Sequence, residues 1–261
     1  MGDENTIQTV IFTDRALIVT FGDGKSIRFE DCWLRDHCRC SSCYHASTFQ
    51  RAHHILAIPD VTIRSDDHKS TYAAEFLSQF DYTTWKESRK LKPILWKGAS
   101  VESKIATIPV DKFLTTKDGA RSVFKSLLDY GVVLITGVEA TSEATEEVCK
   151  ALGGVQHTIF GGMWEFTTTL DHADTAYTNL PLAVHNDNTY FTEAAGLQIL
   201  HCIKHAQGTG GETLLVDGFF GAQELKRDHP EDFEFLSKFN LEEQYIEEGH
   251  HHTYSAPVQR V

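Results

Sequence analysis

His185-Asn186-Asp187-Asn188-Thr189-Tyr190-Phe191 and, further on, Gly208-Thr209-Gly210-Gly211-Glu212-Thr213-Leu214-Leu215-Val216-Asp217-Gly218 decide how the larger C-terminal part of this 261-residue chain is read. In extended backbone, residues two apart share a face. His-x-Asp at a strand end therefore presents an imidazole and a carboxylate side by side. With a second histidine, such a pair makes the facial site that holds Fe(II) and leaves positions open for a co-substrate and oxygen. A surface turn with a capping Asp gives the same triplet, so the surroundings have to decide. Val184 precedes it, the apolar run Gly196-Leu197-Gln198-Ile199-Leu200 follows, and the glycine-rich turn leads into a strand beginning at Thr213.

Outward from this stretch the pattern is mixed. Val123, Phe124, Leu127 and Leu128 form a helical stripe that stops at Gly131, and Val132-Val133-Leu134-Ile135 reads as a buried strand. Thr141 or Ser142 can cap the next helix, whose first turn is acidic, and Gly153-Gly154 closes it. Short β-type runs follow at 158–160, 163–168, 175–178, 197–203 and 213–216. Helices are expected at 220–228 and 231–239, with Pro230 in a first-turn position. Many short strands flanked by a few helices suggest a β-rich core of the jelly-roll kind. Toward the N-terminus, residues 16–21 and 27–29 flank Gly22-Asp23-Gly24-Lys25 as a hairpin. A strand at 61–64, a short helix within 71–80 and a connecting segment at 85–105 complete the reading.

Cys38-x-Cys40-x-x-Cys43 is the second constellation. Three thiols this close, with no secretory signal in the sequence, point to a metal in a reducing compartment rather than to a disulfide framework. A structural zinc is the expected occupant. The fourth ligand must come from elsewhere, and His37 and His45 flank the cluster. The reduced, buried-thiol alternative stays open at this point. A third cluster, His250-His251-His252, reads as a solvated surface tract.

Composition is that of an ordinary globular chain, with 41% hydrophobic and 23% charged residues. No apolar run reaches the length of a membrane span. A formal net charge of −13 disfavours nucleic acid, which needs a positive surface. The start, Met-Gly-Asp-Glu-Asn-Thr, shows neither an Arg-rich amphipathic stretch nor an apolar core of a signal peptide.

Gly162-Met163-Trp164-Glu165-Phe166, Asp174-Thr175-Ala176-Tyr177-Thr178, the His185–Phe191 stretch, His201-Cys202-Ile203-Lys204-His205 and the glycine-rich segment to Phe220 fit one pattern together. The chain resembles the 2-oxoglutarate-dependent hydroxylases of carnitine biosynthesis, within the larger group that includes taurine dioxygenase. The resemblance runs from about residue 16 to 248, and departs at Asn186, where Thr is more usual. It favours the branch that hydroxylates N6,N6,N6-trimethyllysine at C3, with γ-butyrobetaine as the rival substrate. It implies an α+β chain: a small β-rich zinc-binding domain at 1–95, then a double-stranded β-helix (jelly-roll) oxygenase domain with flanking helices at 105–261.

The same resemblance implies His185 and Asp187 as Fe(II) ligands, with Thr213 bonding a carboxylate of 2-oxoglutarate and Leu200 lining its pocket. Trp164, Tyr177 and Tyr190 become candidates for a trimethylammonium cage. A quaternary ammonium has no N–H to donate, so π faces must recognise it, at ~0.5–2 kcal/mol per contact. His68 is implied as the fourth zinc ligand beside Cys38, Cys40 and Cys43. Ascorbate as reductant, O2 as co-substrate, a homodimer and the mitochondrial matrix are expected on the same ground. The cytoplasm is the alternative, since the sequence shows no presequence. The reading also expects the second iron histidine and the arginine that clamps 2-oxoglutarate to lie beyond Val261, making the oxygenase domain incomplete. That leaves a non-catalytic zinc-containing interaction module as a further alternative.

Overall fold

The computed structural model describes residues 5–52, 54, 68–167, 175–205, 208–247 and 249–259. Contacts divide the chain into two compact units, Met1–Lys90 and Leu91–Val261.

The first unit is built on a three-stranded antiparallel meander: β1 (Ile7–Phe12), β2 (Ala16–Phe21) and β3 (Ser26–Glu30), with β2 central. The β2–β3 hairpin forms where Gly22-Asp23-Gly24-Lys25 predicts it. Gly24 takes φ +87°, and the Lys25 amide donates to Asp23 Oδ1 at 2.9 Å. Register places Val19 opposite Ile27 and Leu17 opposite Phe29, so one face of the sheet is apolar. Val19, Phe21, Ile27, Phe29, Leu34 and Leu77 bury together there, joined by Trp33, Tyr72 and Phe76. Burying each large aliphatic or aromatic side chain is worth ~1.5–3 kcal/mol. The covering helices are α1 (Asp31–Asp36) and α2 (Ala74–Ser78). A further helix, α3 (Tyr82–Ser88), starts at Asp81, whose carboxylate accepts from the Thr83 amide and pairs with Lys25 at 3.0 Å. A short hairpin, β4 (Tyr44–His45) with β5 (Gln50–Arg51), completes the unit. The strand expected at 61–64 lies outside the described residues. The expected connection at 85–105 begins inside α3 and includes a single 3-10 turn at Gly98–Val101.

The second unit opens with a parallel pair, β6 (Thr107–Pro109) and β7 (Leu134–Thr136), joined through α4 (Val110–Thr115) and α5 (Lys117–Tyr130). Helix α5 begins where Thr116 Oγ1 accepts from the Gly119 amide and ends at Gly131, φ +77°. Gly119 is required for packing: a Cβ there would sit 2.1 Å from the Lys112 carbonyl oxygen. Buried Ser126 donates to the Val132 carbonyl and accepts from the Ala106 amide, fixing α5 to the chain entering both strands. Helix α6 (Ser142–Leu152), capped by Thr141, adds Val148 to a core with Phe113 and Val123. Later come α7 (Gly218–Asp228), α8 (Pro230–Lys238) and a hairpin of β8 (Asn240–Glu247) with β9 (His250–Pro257). Asp217 caps α7 through the Phe220 amide and also takes the Trp96 amide at 2.9 Å.

Between α6 and α7 the expectation of strands is corrected. Among the described residues, the runs at 158–160, 163–168, 197–203 and 213–216 are not strands, and 175–178 holds a 3-10 turn. One isolated bridge, Thr158 to Gly161, is present. The physical reason is pairing: an extended run becomes a strand only where a neighbour takes its N–H and C=O groups. Among the described residues these runs find no strand partner beyond that bridge, and Leu200, Leu214 and Val216 are exposed. The described strands form one three-stranded sheet and three two-stranded pairs. The β8–β9 hairpin, in contrast, is absent from the sequence-based expectations; the histidine tract opens β9, with His250 and His251 exposed as a solvated tract would be and His252 half-buried.

Candidate metal sites

In the first unit, Cys38, Cys40, Cys43 and His68 converge. Their ligand atoms all lie within 4.8 Å of one another. Nε2 of His68 is 3.2 Å from the Cys38 sulfur, 3.8 Å from Cys40 and 3.5 Å from Cys43. Zn–S bonds of ~2.3 Å and a Zn–N bond of ~2.0–2.1 Å at tetrahedral angles put S and N about 3.5 Å apart. The spacing of His68 from the three sulfurs is thus compatible with a zinc ion, and Cys3His is a donor set that zinc takes.

Local structure explains the convergence. Helix α1 ends at Asp36 and delivers Cys38 buried beneath it. The turn through Cys43 precedes β4, where the Cys43 amide donates to the Cys40 carbonyl and the Cys43 carbonyl takes the Ala52 amide. The rival ligands are engaged elsewhere. His37 stacks on Trp33 at 3.9 Å, and its Nδ1 bonds the Trp33 carbonyl at 2.8 Å. His45 Nδ1 meets the hydroxyls of Ser47 and Thr48. Burial pushes the Cys43 thiol up, against a hydrogen bond from Arg35 that pulls it down. Desolvation also raises Cys40, but hydrogen bonds from Cys43, the Ser42 backbone and Cys38 outweigh it and bring that thiol down to about 7. Cys149, buried in α6, is pushed up by burial.

In the second unit the structure brings His185 and Asp187 together. His185 Nε2 lies 3.2 Å from Asp187 Oδ1. His185 Nδ1 bonds the Ala183 carbonyl at 2.6 Å. With Nδ1 tied to that backbone carbonyl, Nε2 is the ring nitrogen beside the carboxylate, an arrangement in which a histidine ligand can be oriented through its second nitrogen. Gln198 Nε2 donates to the other carboxylate oxygen, Oδ2, at 2.5 Å. Gln198 escaped the sequence reading, although it lies in the apolar run quoted for its proximity to the pair. Both side chains are half exposed, 51% for His185 and 44% for Asp187, on irregular backbone.

The remaining candidates lie outside the strands and α-helices. Trp164 is exposed beside Phe160, whose ring centroid is 6.3 Å away. Tyr177 sits in the 3-10 turn with Phe166 at 6.3 Å. Tyr190 stacks on Tyr245 of β8 at 4.9 Å and meets Phe191 edge-on. Thr213 and Leu200 are exposed on irregular chain. His252 packs edge-on against Phe191 at 5.1 Å, so β9 supplies that histidine to an aromatic cluster with Phe160, Tyr190, Phe191 and Tyr245. His201 is tied to α6 through Thr145, 2.7 Å away.

A Cys3His cluster that could hold a metal ion thus precedes a His-x-Asp pair in the chain. The chain belongs to the taurine catabolism dioxygenase TauD, TfdA family, whose model matches residues 87–261. Residues 9–78 match the gamma-butyrobetaine hydroxylase-like N-terminal model. Among curated proteins, the chain is 38% identical to the mitochondrial trimethyllysine dioxygenase of Homo sapiens, over 87% of this chain and 58% of that protein. It is 31% identical to the trimethyllysine dioxygenase of Meyerozyma guilliermondii, over 85% of this chain and 63% of that protein. It is 26% identical to dioxygenase str8 of Strobilurus tenacellus, over 87% of this chain and 59% of that protein. The chain thus spans about three-fifths of the length of these relatives. Among the described residues, no helix is long and apolar enough to cross a membrane.

Proposed function

We propose that this chain is the zinc-binding and iron-binding part of an Fe(II)/2-oxoglutarate oxygenase that hydroxylates N6,N6,N6-trimethyllysine at C3. The observation that carries the reading is the oriented His185–Asp187 pair, in a chain 38% identical to a trimethyllysine dioxygenase across both units. In this reading residues 1–95 form the zinc domain and 105–261 belong to the oxygenase domain. The oxygenase domain is read as a jelly roll in which the runs at 197–203 and 213–216 would act as core strands once paired with neighbouring strands.

His185 Nε2 and Asp187 Oδ1 would hold the iron. Hydrogen bonds to the Ala183 carbonyl and from Gln198 fix the ring and the carboxylate, so little orientation has to be frozen when the metal arrives. Iron and 2-oxoglutarate supply oxygen activation: succinate and CO2 leave, one oxygen atom goes to the substrate carbon and the other to succinate. Thr213 bonds a 2-oxoglutarate carboxylate and Leu200 lines its pocket. Trp164, Tyr177 and Tyr190 bind the trimethylammonium head through their π faces and exclude water around it. Ascorbate as reductant, a homodimer and a mitochondrial location follow from the same family reading.

The test is succinate formation by the protein carrying this chain at its native length, given Fe(II), 2-oxoglutarate and either substrate. Trimethyllysine should raise succinate well above the substrate-free rate. Stimulation by γ-butyrobetaine alone would move the reading to the sister branch. A second reading, a zinc-containing interaction module, draws on the contrast between a complete Cys3His set and an iron pair of two ligands among the described residues. One zinc and no iron, without turnover at native length, would establish it.

A further inference from the structure

We propose that Arg35 is the charge-compensating partner of the Cys3His centre, donating to the Cys43 sulfur and so setting the site's affinity for zinc. The inference rests on the zinc reading above. Arg35 stands in the last turn of α1, and its Nη1 lies 2.9 Å from Cys43 Sγ. Three thiolates and a zinc dication sum to one negative charge. Cys38 and Cys43 are each only 2% exposed, and Cys40 is half-buried, so water offsets that charge at Cys40 but little at the two buried sulfurs. A buried charge without a partner is costly. One guanidinium brings the centre to neutrality and occupies a sulfur lone pair that faces protein rather than solvent. Arginine suits the position because it stays charged and is more weakly hydrated than an ammonium.

The neighbouring residues hold Arg35 to this task. Asp36, next along α1, pairs with Arg51 of β5 at 3.0 Å. Residue 51 is in register with Tyr44, directly after Cys43. The end of α1 is therefore clipped to the hairpin that carries the sulfur. A further nearby cation, Arg39, is spent differently: its guanidinium lies 4.1 Å over the Tyr44 ring. Arg35 thus differs from a generic positive charge near the cluster, and the two arginines give an internal control.

The experiment is zinc competition against a chromogenic chelator on the whole chain, paired with the cobalt-substituted spectrum. Arg35→Met should weaken zinc ~10–100-fold, the range for losing a group that bonds a metal ligand. It should also shift the thiolate-to-cobalt charge-transfer band to lower energy, since the sulfur loses a hydrogen bond. Arg35→Lys, which keeps the charge, should recover most of the affinity and serves if the methionine variant fails to fold. Arg39→Met should change affinity less than about twofold, below the effect of any lost ligand bond. If the unaltered chain takes up one zinc and both Arg35 variants match it in affinity and spectrum, the Arg35 proposal is overturned and the zinc reading stands. An equal loss in Arg39→Met would also overturn it, replacing a specific donor by general electrostatics. If the unaltered chain takes up no zinc, the zinc reading falls and this proposal falls with it.

Discussion

The two candidate metal centres of this chain are built in opposite ways. In the first unit, three thiols lie within six residues, on the end of one short helix and the turn into a two-residue strand. The fourth donor, His68, completes a donor set inside 4.8 Å. In the second unit the His185–Asp187 pair is equally well aimed, but it sits on exposed irregular chain and brings two donors. A local site closes with the turns that carry it. A site distributed over a sheet closes only when the strands find partners, because each strand's stability lies in its neighbours.

Removing zinc should break the comparison most severely. Structural zinc is worth roughly 10 kcal/mol or more of binding free energy in small domains. The Val19–Phe21–Ile27–Phe29 core retains part of the first unit without it. A chelator, or Cys38→Ser, should therefore expose residues 38–52 to a protease and lower the melting temperature of the first unit, leaving α5 and α6 protected from hydrogen exchange. Equal loss of protection in α5 and α6 would contradict the independence of the two sites. Gln198→Ala should act next in size and on the other site only. It frees Asp187 Oδ2, and we expect a ~10–100-fold loss of iron affinity or turnover with zinc content unchanged. Unchanged iron affinity would show that the carboxylate is positioned by other means.

The smallest effect concerns the first unit away from its metal. Asp81 is held below its ordinary value of 3.8 first by the Thr84 hydroxyl, then by Lys25. A depressed carboxylate contributes stability that is fully present above pH 3.8 and is lost as pH falls through its lower folded value. Asp81→Asn keeps a helix-capping side chain but removes the charge. It should cost about 1 kcal/mol at neutral pH, the size of a cap or a partly exposed pair, and almost nothing in strong acid. Urea melts at the two pH values check this, and a pH-independent cost would contradict the charge assignment.

What could be read from the sequence follows the same division. Gly22-Asp23-Gly24-Lys25 and the alternation of Ile27 and Phe29 announce the β2–β3 hairpin, because turn chemistry and burial agree within a dozen or so residues. The stripe through Val123 and Leu127, stopped by Gly131, announces α5 for the same reason. The runs at 197–203 and 213–216 carry strand composition, yet composition cannot supply the partner a strand requires. The reverse holds for β8–β9: Glu242, Glu243, Gln244 and the histidines lack an apolar alternation, and register with a facing strand makes the hairpin. Cys38, Cys40 and Cys43 were legible by spacing, and His68 by resemblance. Arg35 and Gln198 were not, since each matters through one hydrogen bond that exists only after the chain has closed.

The most direct measurement follows trimethyllysine hydroxylation and metal content together, in the native-length protein and its Asp187→Ala variant. The expected result is hydroxylation by the unaltered protein, its loss in the variant, and one zinc per chain in both. Hydroxylation that survives Asp187→Ala, or zinc that disappears with it, would contradict the assignment of two separate metal centres with catalysis at His185 and Asp187.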